Sequence, residues 1–333
     1  MTGPPVPPPG SPRISVALCT FDGARFLEAQ LESLASQDRL PDELVACDDR
    51  SRDGTVAVLE AFARRAPFPV QIVVNEATLG STRNFEKAIG LCTGALIATC
   101  DQDDVWMPQK IARTLDAFAE DPRRGLVFTD AEVVAADLSP LGHRLWDAVG
   151  FGPGLRRLVR EDRAFEALLR RWIVTGATMT FRAEHRPLVL PVPPAWVHDA
   201  WIALLVAAVS PLGLVSEPAV RYRQHGSQQL GAARASPLEM LRRAREVGPD
   251  QFALELERFR LARERLQGRR EALRDPAILR LIADKVAHQE LRLAIARNPS
   301  RPARIAASLG ELLRGGYSRY SARTDTVLKD MFL

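Results

Sequence analysis

Three carboxylates crowd into four positions at Asp101-Gln102-Asp103-Asp104, directly after the apolar run Ala95-Leu96-Ile97-Ala98-Thr99-Cys100. Carboxylates this close repel one another unless a cation or hydrogen-bond donors compensate. A divalent ion carrying a diphosphate supplies that compensation, because Mg²⁺ usually takes one or two carboxylates plus phosphate oxygens. Two further polar clusters close apolar runs in the same way. Thr20-Phe21-Asp22-Gly23 ends the run that begins at Ile14, and Asp48-Asp49-Arg50-Ser51-Arg52-Asp53-Gly54-Thr55 ends the run Glu43 to Cys47. One such cluster alone is equally a solvated acidic loop, or a turn whose Asp and Gly serve the backbone. Three at the ends of successive apolar runs point instead to one ligand site.

Short apolar runs bounded by turn formers are expected to be buried strands. Ile14–Thr20, Glu43–Cys47, Pro69–Val74 and the run before Asp101 fit that description, and Leu126–Thr129 adds a fifth. Between them lie helical patterns. Leu27, Leu31 and Leu34 share one face, as do Val58, Leu59 and Phe62 within Thr55–Arg65, and a helix is expected around Asn84–Leu91. Strand alternating with helix predicts an α/β, doubly wound, mostly parallel sheet flanked by helices. Ligands in such sheets sit at the C-terminal rim of the strands, where all three clusters fall. Val174–Phe181 is a further expected strand, and Leu214–Tyr222 another at the sheet edge. After Gly231 the pattern becomes Arg-, Leu-, Ala- and Glu-rich with helical spacing, broken by prolines. The expected organisation is a disordered Pro-rich leader over 1–12, an α/β domain over 13–231 and a basic helical extension over 232–333.

The composition, 46% hydrophobic and 26% charged, is that of a globular chain able to bury a core. No stretch reaches the about eighteen uninterrupted apolar residues of a membrane span; Trp201–Val215 comes nearest and contains Pro211 and Gly213. Met1–Pro12 lacks the apolar core of a secretory signal, so cytoplasmic residence is the expectation. Cys19, Cys47, Cys92 and Cys100 form no Cys-x-x-Cys pair, which argues against zinc and for small buried apolar roles. Charge is asymmetric. Residues 233–333 hold 21 Lys and Arg against 13 Asp and Glu, and the rest holds 24 against 28.

At this point the chain resembles the inverting glycosyltransferases of family 2, which have the nucleotide-sugar-binding GT-A fold. The likeness runs from about Arg13 to Gly231. It is carried by Thr20-Phe21-Asp22-Gly23, Asp48 to Thr55, Asn75 through Gly80 with Asn84, and Asp101-Gln102-Asp103-Asp104-Val105-Trp106. Farther on, His198-Asp199-Ala200-Trp201 and Tyr222-Arg223-Gln224-His225-Gly226-Ser227 also match. The Asp-Gln-Asp-Asp-Val-Trp and His-Asp-x-Trp forms look most like the rhamnosyltransferase branch that builds bacterial surface polysaccharides. Arg50 departs from the pattern, standing where the family usually has Gly.

The resemblance implies roles. Thr20 and Asp49 contact the nucleobase, with Asp48 or Asp22 assisting and Asn84 within the same nucleotide-sugar set. Asp101 and Asp103 bind ribose and metal (Mn²⁺ or Mg²⁺), with Asp104 as an alternative ligand. His225 touches the metal or diphosphate, and Arg221 or Arg223 the phosphate. Asp199 is the general base that deprotonates the acceptor hydroxyl; the plainer reading makes it a helix cap. The donor is a nucleotide-diphosphate sugar, with dTDP-L-rhamnose first, and the acceptor a glycan or lipid-linked glycan. Arg242, Arg243 and Arg245, interleaved with Leu238, Met240 and Leu241, suit peripheral contact with the inner face of the plasma membrane. Nucleic acid is not expected, since acids intersperse the basic residues and no aromatic platform accompanies them. Two other classes compete. A sugar-phosphate nucleotidyltransferase wants a Gly- and basic-rich loop after the first strand, which Thr20-Phe21-Asp22-Gly23 does not supply; a non-catalytic nucleotide-sugar-binding scaffold wants only the binding residues.

Overall fold

The computed structural model describes residues 11–225, 248–321 and 326–332. The leader up to residue 10, Gly226-Ser227 and the Leu238–Arg245 stretch lie outside the described residues. β1 (Ile14–Thr20), β2 (Glu43–Asp48), β3 (Val70–Val74) and β4 (Leu96–Asp101) alternate with α1 (Ala24–Ala35), α2 (Thr55–Ala63) and α3 (Ser81–Leu91). These four strands are parallel, in the order β3-β2-β1-β4. The register pairs Cys19 with both Cys47 and Asp101, so the three polar clusters share one rim, as expected.

Both faces of β1, β2 and β4 are buried, the edge strand β3 is partly exposed, and alternate residues face opposite ways. Val16 and Leu18 of β1 join Leu27, Leu31, Leu34, Leu59 and Phe62 on the α1–α2 side. Ala17 and Cys19 join Phe85, Ala88 and Ile89 of α3 on the other. The four cysteines are buried and free, and burial pushes Cys47 up to about 11 and Cys92 up to about 12.

Beyond β4 the sheet becomes mixed. β5 (Val105–Trp106) and α4 (Lys110–Glu120) precede β6 (Leu126–Val134) and β7 (Pro140–Arg144). Three short helices follow: α5 (Leu145–Ala148), α6 (Pro153–Arg160) and α7 (Ala164–Arg170). β8 (Met179–Arg182), α8 (Arg186–Val189), α9 (His198–Val209) and β9 (Leu212–Arg223) complete the sheet. β8 runs antiparallel between β4 and β6, and β9 runs parallel to β6. The expected strand Val174–Phe181 is therefore shorter at its start, because Gly176–Thr178 forms a 3-10 turn. The expected edge strand is flanked by the two-residue β5, which takes the outermost place.

The chain beyond residue 248 is helical: α10 (Pro249–Gln267), α11 (Ala277–Arg297), α12 (Arg301–Leu313), α13 (Gly316–Tyr320) and α14 (Thr326–Phe332). Phe252, Leu256, Phe259, Ala262 and Leu266 recur every three or four residues on α10 and enter the core cluster that α7 and α9 occupy. Among the described residues, no helix is long and apolar enough to cross a membrane.

Candidate active site

The first half of the rim is a set of turns held by carboxylates. Asp48 is fully buried, and it accepts from Thr20 Oγ1 (2.8 Å), Ser51 Oγ (2.6 Å) and Ser51 N (2.8 Å). That pull closes the turn at Arg50, whose φ of 66° lies in the left-handed region. Arg50 occupies it although it is not glycine, at a steric cost of about 1–2 kcal/mol. Asp49 accepts from Asn75 Nδ2 (2.9 Å), Leu79 N (2.7 Å) and Gly80 N (2.8 Å) and so folds the 75–80 loop over the rim. Asn84 is buried, bonding Asn75 and the Cys47 carbonyl. Asp22, at φ 45°, accepts from Arg52 N. The structure thus gives Asp48, Asp49 and Asn84 shaping duties within the wall that the sequence assigned to the nucleotide.

Gln102 joins this wall to the acidic loop. Its side chain donates to Phe21 O (3.0 Å) and accepts from Phe21 N (2.8 Å). Gly23 is bare for this reason, since a Cβ there would lie 2.0 Å from Gln102 Oε1.

The second half gathers the acids. Asp103 Oδ2 lies 2.8 Å from His225 Nε2, and the His225 ring packs against Phe26. Asp104 is buried; Oδ1 accepts from Arg223 N (2.9 Å), and Oδ2 has no hydrogen-bond partner. Asp101 keeps a partial opening to solvent. The depth of protein around it, with repulsion from Asp103 and Asp199, still pushes its carboxyl up to about 7. Burial, then repulsion from Asp103 and Asp101, raises Asp104 well above the carboxylate range. The Tyr222 hydroxyl is raised by burial and then by Asp104, Asp101, Asp103 and Asp199 in that order. One phenol therefore feels all four carboxylates, and Asp199, distant in sequence, belongs to the same cluster.

Asp199 lies in the first turn of α9, inside the helix, while the N-cap is Val197. The helix-cap reading of this residue is thereby corrected. Its Oδ2 accepts from Gly176 N (2.9 Å) and its Oδ1 from Ala200 N (2.6 Å). The turn that supplies the Gly176 amide is itself gripped. Thr99 Oγ1 donates to Gly176 O (2.5 Å) and Lys110 Nζ to Ala177 O (2.8 Å). Thr99 stands two residues before Asp101, so the turn ties the candidate base to the acidic loop.

Arg223 stands beside the acidic loop. It is buried, with Nε on Asp103 O (2.5 Å), Nη1 on Ala136 O and the guanidinium over Phe26. It holds the acidic loop in place. Lys110, Tyr222, Gln102, Thr99 and Gly176 were not read as site residues. Lys110 is buried with Nζ 3.3 Å from the Trp106 ring centre. Nothing in the sequence around an ordinary helix-start lysine signals that burial.

The donor set, two or three carboxylates and an imidazole, has the chemistry of a Mn²⁺ or Mg²⁺ site. The orphaned Asp104 Oδ2 and the 2.8 Å Asp103–His225 contact fit a cation there. Among the described residues, no three His, Cys, Asp or Glu side chains already close on one point.

Residues 15–138 match the model of glycosyl transferase family 2. That segment belongs to this family. A putative glycosyltransferase, EpsE of Bacillus subtilis, is 27% identical over 138 residues, 41% of this chain and 49% of that protein. Matched stretches span between 33% and 59% of the length of the first curated relatives. S. aureus TarS 1-349, solved with UDP-GlcNAc, superposes with a TM-score of 0.61 at 14% identity, covering 96% of this chain and 89% of that one. The mannosyltransferase PcManGT from Pyrobaculum calidifontis, solved with GDP-Man and Mn²⁺, gives 0.52 at 18% identity, covering 97% and 87%. At such identities the likeness shows the fold, which is GT-A with C-terminal helices.

Proposed function

We propose that the chain is an inverting glycosyltransferase that moves a sugar from a nucleotide diphosphate to an acceptor hydroxyl. The observation that carries this reading is that β1, β2 and β4 bring Thr20, Asp48–Asp49 and Asp101 to one rim, where Asp103 meets His225 and Thr99 grips the turn that fixes Asp199. In this reading Thr20 and Asp49 line the nucleobase wall, with Asp22 and Asp48 behind them and Asn84 fixing the loop. Asp101 and Asp103 face the ribose and diphosphate. A divalent ion held by Asp103 with Asp104 and His225 supplies charge neutralisation for the leaving diphosphate. The two solved neighbours, one with UDP-GlcNAc and the other with GDP-Man and Mn²⁺, support donor and ion of these classes.

Asp199 is the general base. Inversion needs one carboxylate on the acceptor side of the anomeric carbon, opposite the leaving group. The Gly176 amide fixes Asp199 Oδ2, so the carboxylate is held in one place to take a proton. Gln102, Arg223, Thr99 and Lys110 hold the two halves of the site in register. The division into a catalytic region over 13–231 and a basic helical region over 232–333 belongs to the same proposal.

The motif forms Asp101–Trp106 and His198–Trp201 favour dTDP-L-rhamnose as donor. A growing cell-surface polysaccharide on a lipid carrier, at the cytoplasmic face of the membrane, is the proposed acceptor. The test is a donor panel of dTDP-rhamnose against UDP- and GDP-sugars, with Mn²⁺, with Mg²⁺ and with chelator. The reading expects metal-dependent donor hydrolysis or thermal stabilisation by one member. No response to any donor would overturn it.

A further inference from the structure

α12 carries Leu309, Leu312 and Leu313, spaced i, i+3, i+4, so they share one face of the helix. They are 44%, 45% and 89% exposed. Leu328 on the neighbouring α14 is 59% exposed. The rest of α12 is partnered: Ser308 and Glu311 are buried, and Ile305, one turn before Leu309 on the same stripe, packs on Tyr317, Val327 and Met331, so the exposed leucines are the C-terminal end of that stripe. Single exposed leucines are ordinary, but three on one helix face, with a fourth exposed on the adjoining α14, call for an occupant.

The surrounding charge says which occupant. Among the described residues from Arg297 onward the acids are Glu311 and Asp330, and both are turned inward. Glu311 is spent on His288 Nδ1 (2.6 Å), and Asp330 on Arg292 Nε (2.7 Å) and Tyr317 OH (2.8 Å). The basic side chains Arg297, Arg301, Arg314 and Arg319 are exposed. The surface charge of this end is therefore positive, around an apolar strip. A second copy is disfavoured, because a two-fold contact lays the same arginines against themselves. Anionic lipid has the complementary charge and accepts leucine side chains below its headgroups.

We propose that α12 and α14 dock on an anionic bilayer, with Leu309, Leu312, Leu313 and Leu328 in the acyl boundary and the arginines among the phosphates. This surface is distinct from the Leu238–Arg245 stretch, and its docking does not depend on the transferase reading. The full chain is to be sedimented with phosphatidylglycerol-containing vesicles and with pure phosphatidylcholine vesicles. Binding to the anionic vesicles is expected, weakening as salt rises. Leu312→Glu/Leu313→Glu is expected to partition about tenfold more weakly, and Arg314→Glu/Arg319→Glu to lose the preference for anionic lipid. All four side chains are exposed, so unchanged melting curves separate lost docking from lost folding. The proposal is overturned by no binding to either vesicle, by equal binding to both, or by wild-type binding in the leucine variant. It is overturned equally if light scattering shows a dimer that Leu312→Glu/Leu313→Glu dissolves. Vesicle binding is read without turnover, so either reading can fail alone.

Discussion

Replacing Lys110 by Met tests the grip between the acidic loop and the turn that fixes Asp199. Burial pulls the Lys110 ammonium down from 10.5 to about 7. Between those values the unfolded chain holds a proton that the native chain has released, so stability rises with pH across that window. At 1.36 kcal/mol per unit, Lys110 contributes a rise of about 3 kcal/mol between about pH 7 and about pH 9.5. Lys110→Met removes that slope. It also removes the bond to Ala177 O, and an unsatisfied buried carbonyl costs about 1–3 kcal/mol. The variant is therefore expected to fall about 1–3 kcal/mol below the wild type near pH 9.5 and to lie level with it or up to about 2 kcal/mol above it near pH 7. Urea unfolding at a series of pH values reads both curves. Lys285 is likewise drawn down to about 7 by burial and bonds Tyr320 O, so both proteins keep its share of the slope. Parallel curves would refute the reasoning, because they mean that Lys110 keeps its ordinary proton in the fold.

Arg50→Gly is expected to stabilise the chain by up to about 1 kcal/mol, the left-handed strain relieved less the extra freedom of glycine when unfolded. A lower urea midpoint would contradict it. Asp49→Ala removes the acceptor for Asn75, Leu79 N and Gly80 N, at a cost of about 3 kcal/mol. Amide exchange at Leu79 and Gly80 should accelerate with it, and unchanged protection there would show that the loop holds itself. Donor affinity should fall in Asp49→Ala alongside that loosening.

The first four strands were legible because each is a short apolar run cut off by Asp or Gly, and both faces of a central parallel strand are buried. The carboxylates of the rim followed from those strand ends. β8 was less legible. Val174 to Phe181 reads as one β-branched stretch, but Thr99 and Lys110, far away in sequence, grip Gly176 and Ala177 in a turn before the strand begins. Two-residue β5 is too short to show any period, and the antiparallel placing of β8 leaves no trace in alternation. In the site, residue types at strand ends were readable and their partners were not. Asp48 and Arg223 are spent on backbone and hydroxyl groups that only the folded chain brings near. Tyr222 joined the site through its position on β9 beside the acidic loop, which no local pattern encodes.

The central claim is that Asp199 takes the proton of an acceptor hydroxyl beside a donor held by Asp101 and Asp103. Asp199→Asn keeps the shape and one of the two amide bonds, that from Gly176 N or that from Ala200 N, while removing the base. With the responding donor from the panel and its metal ion, binding and turnover should be measured on the wild type and this variant side by side. The account predicts donor affinity within about twofold and transfer to acceptor reduced by about 100-fold or more. Transfer at the wild-type rate would contradict it.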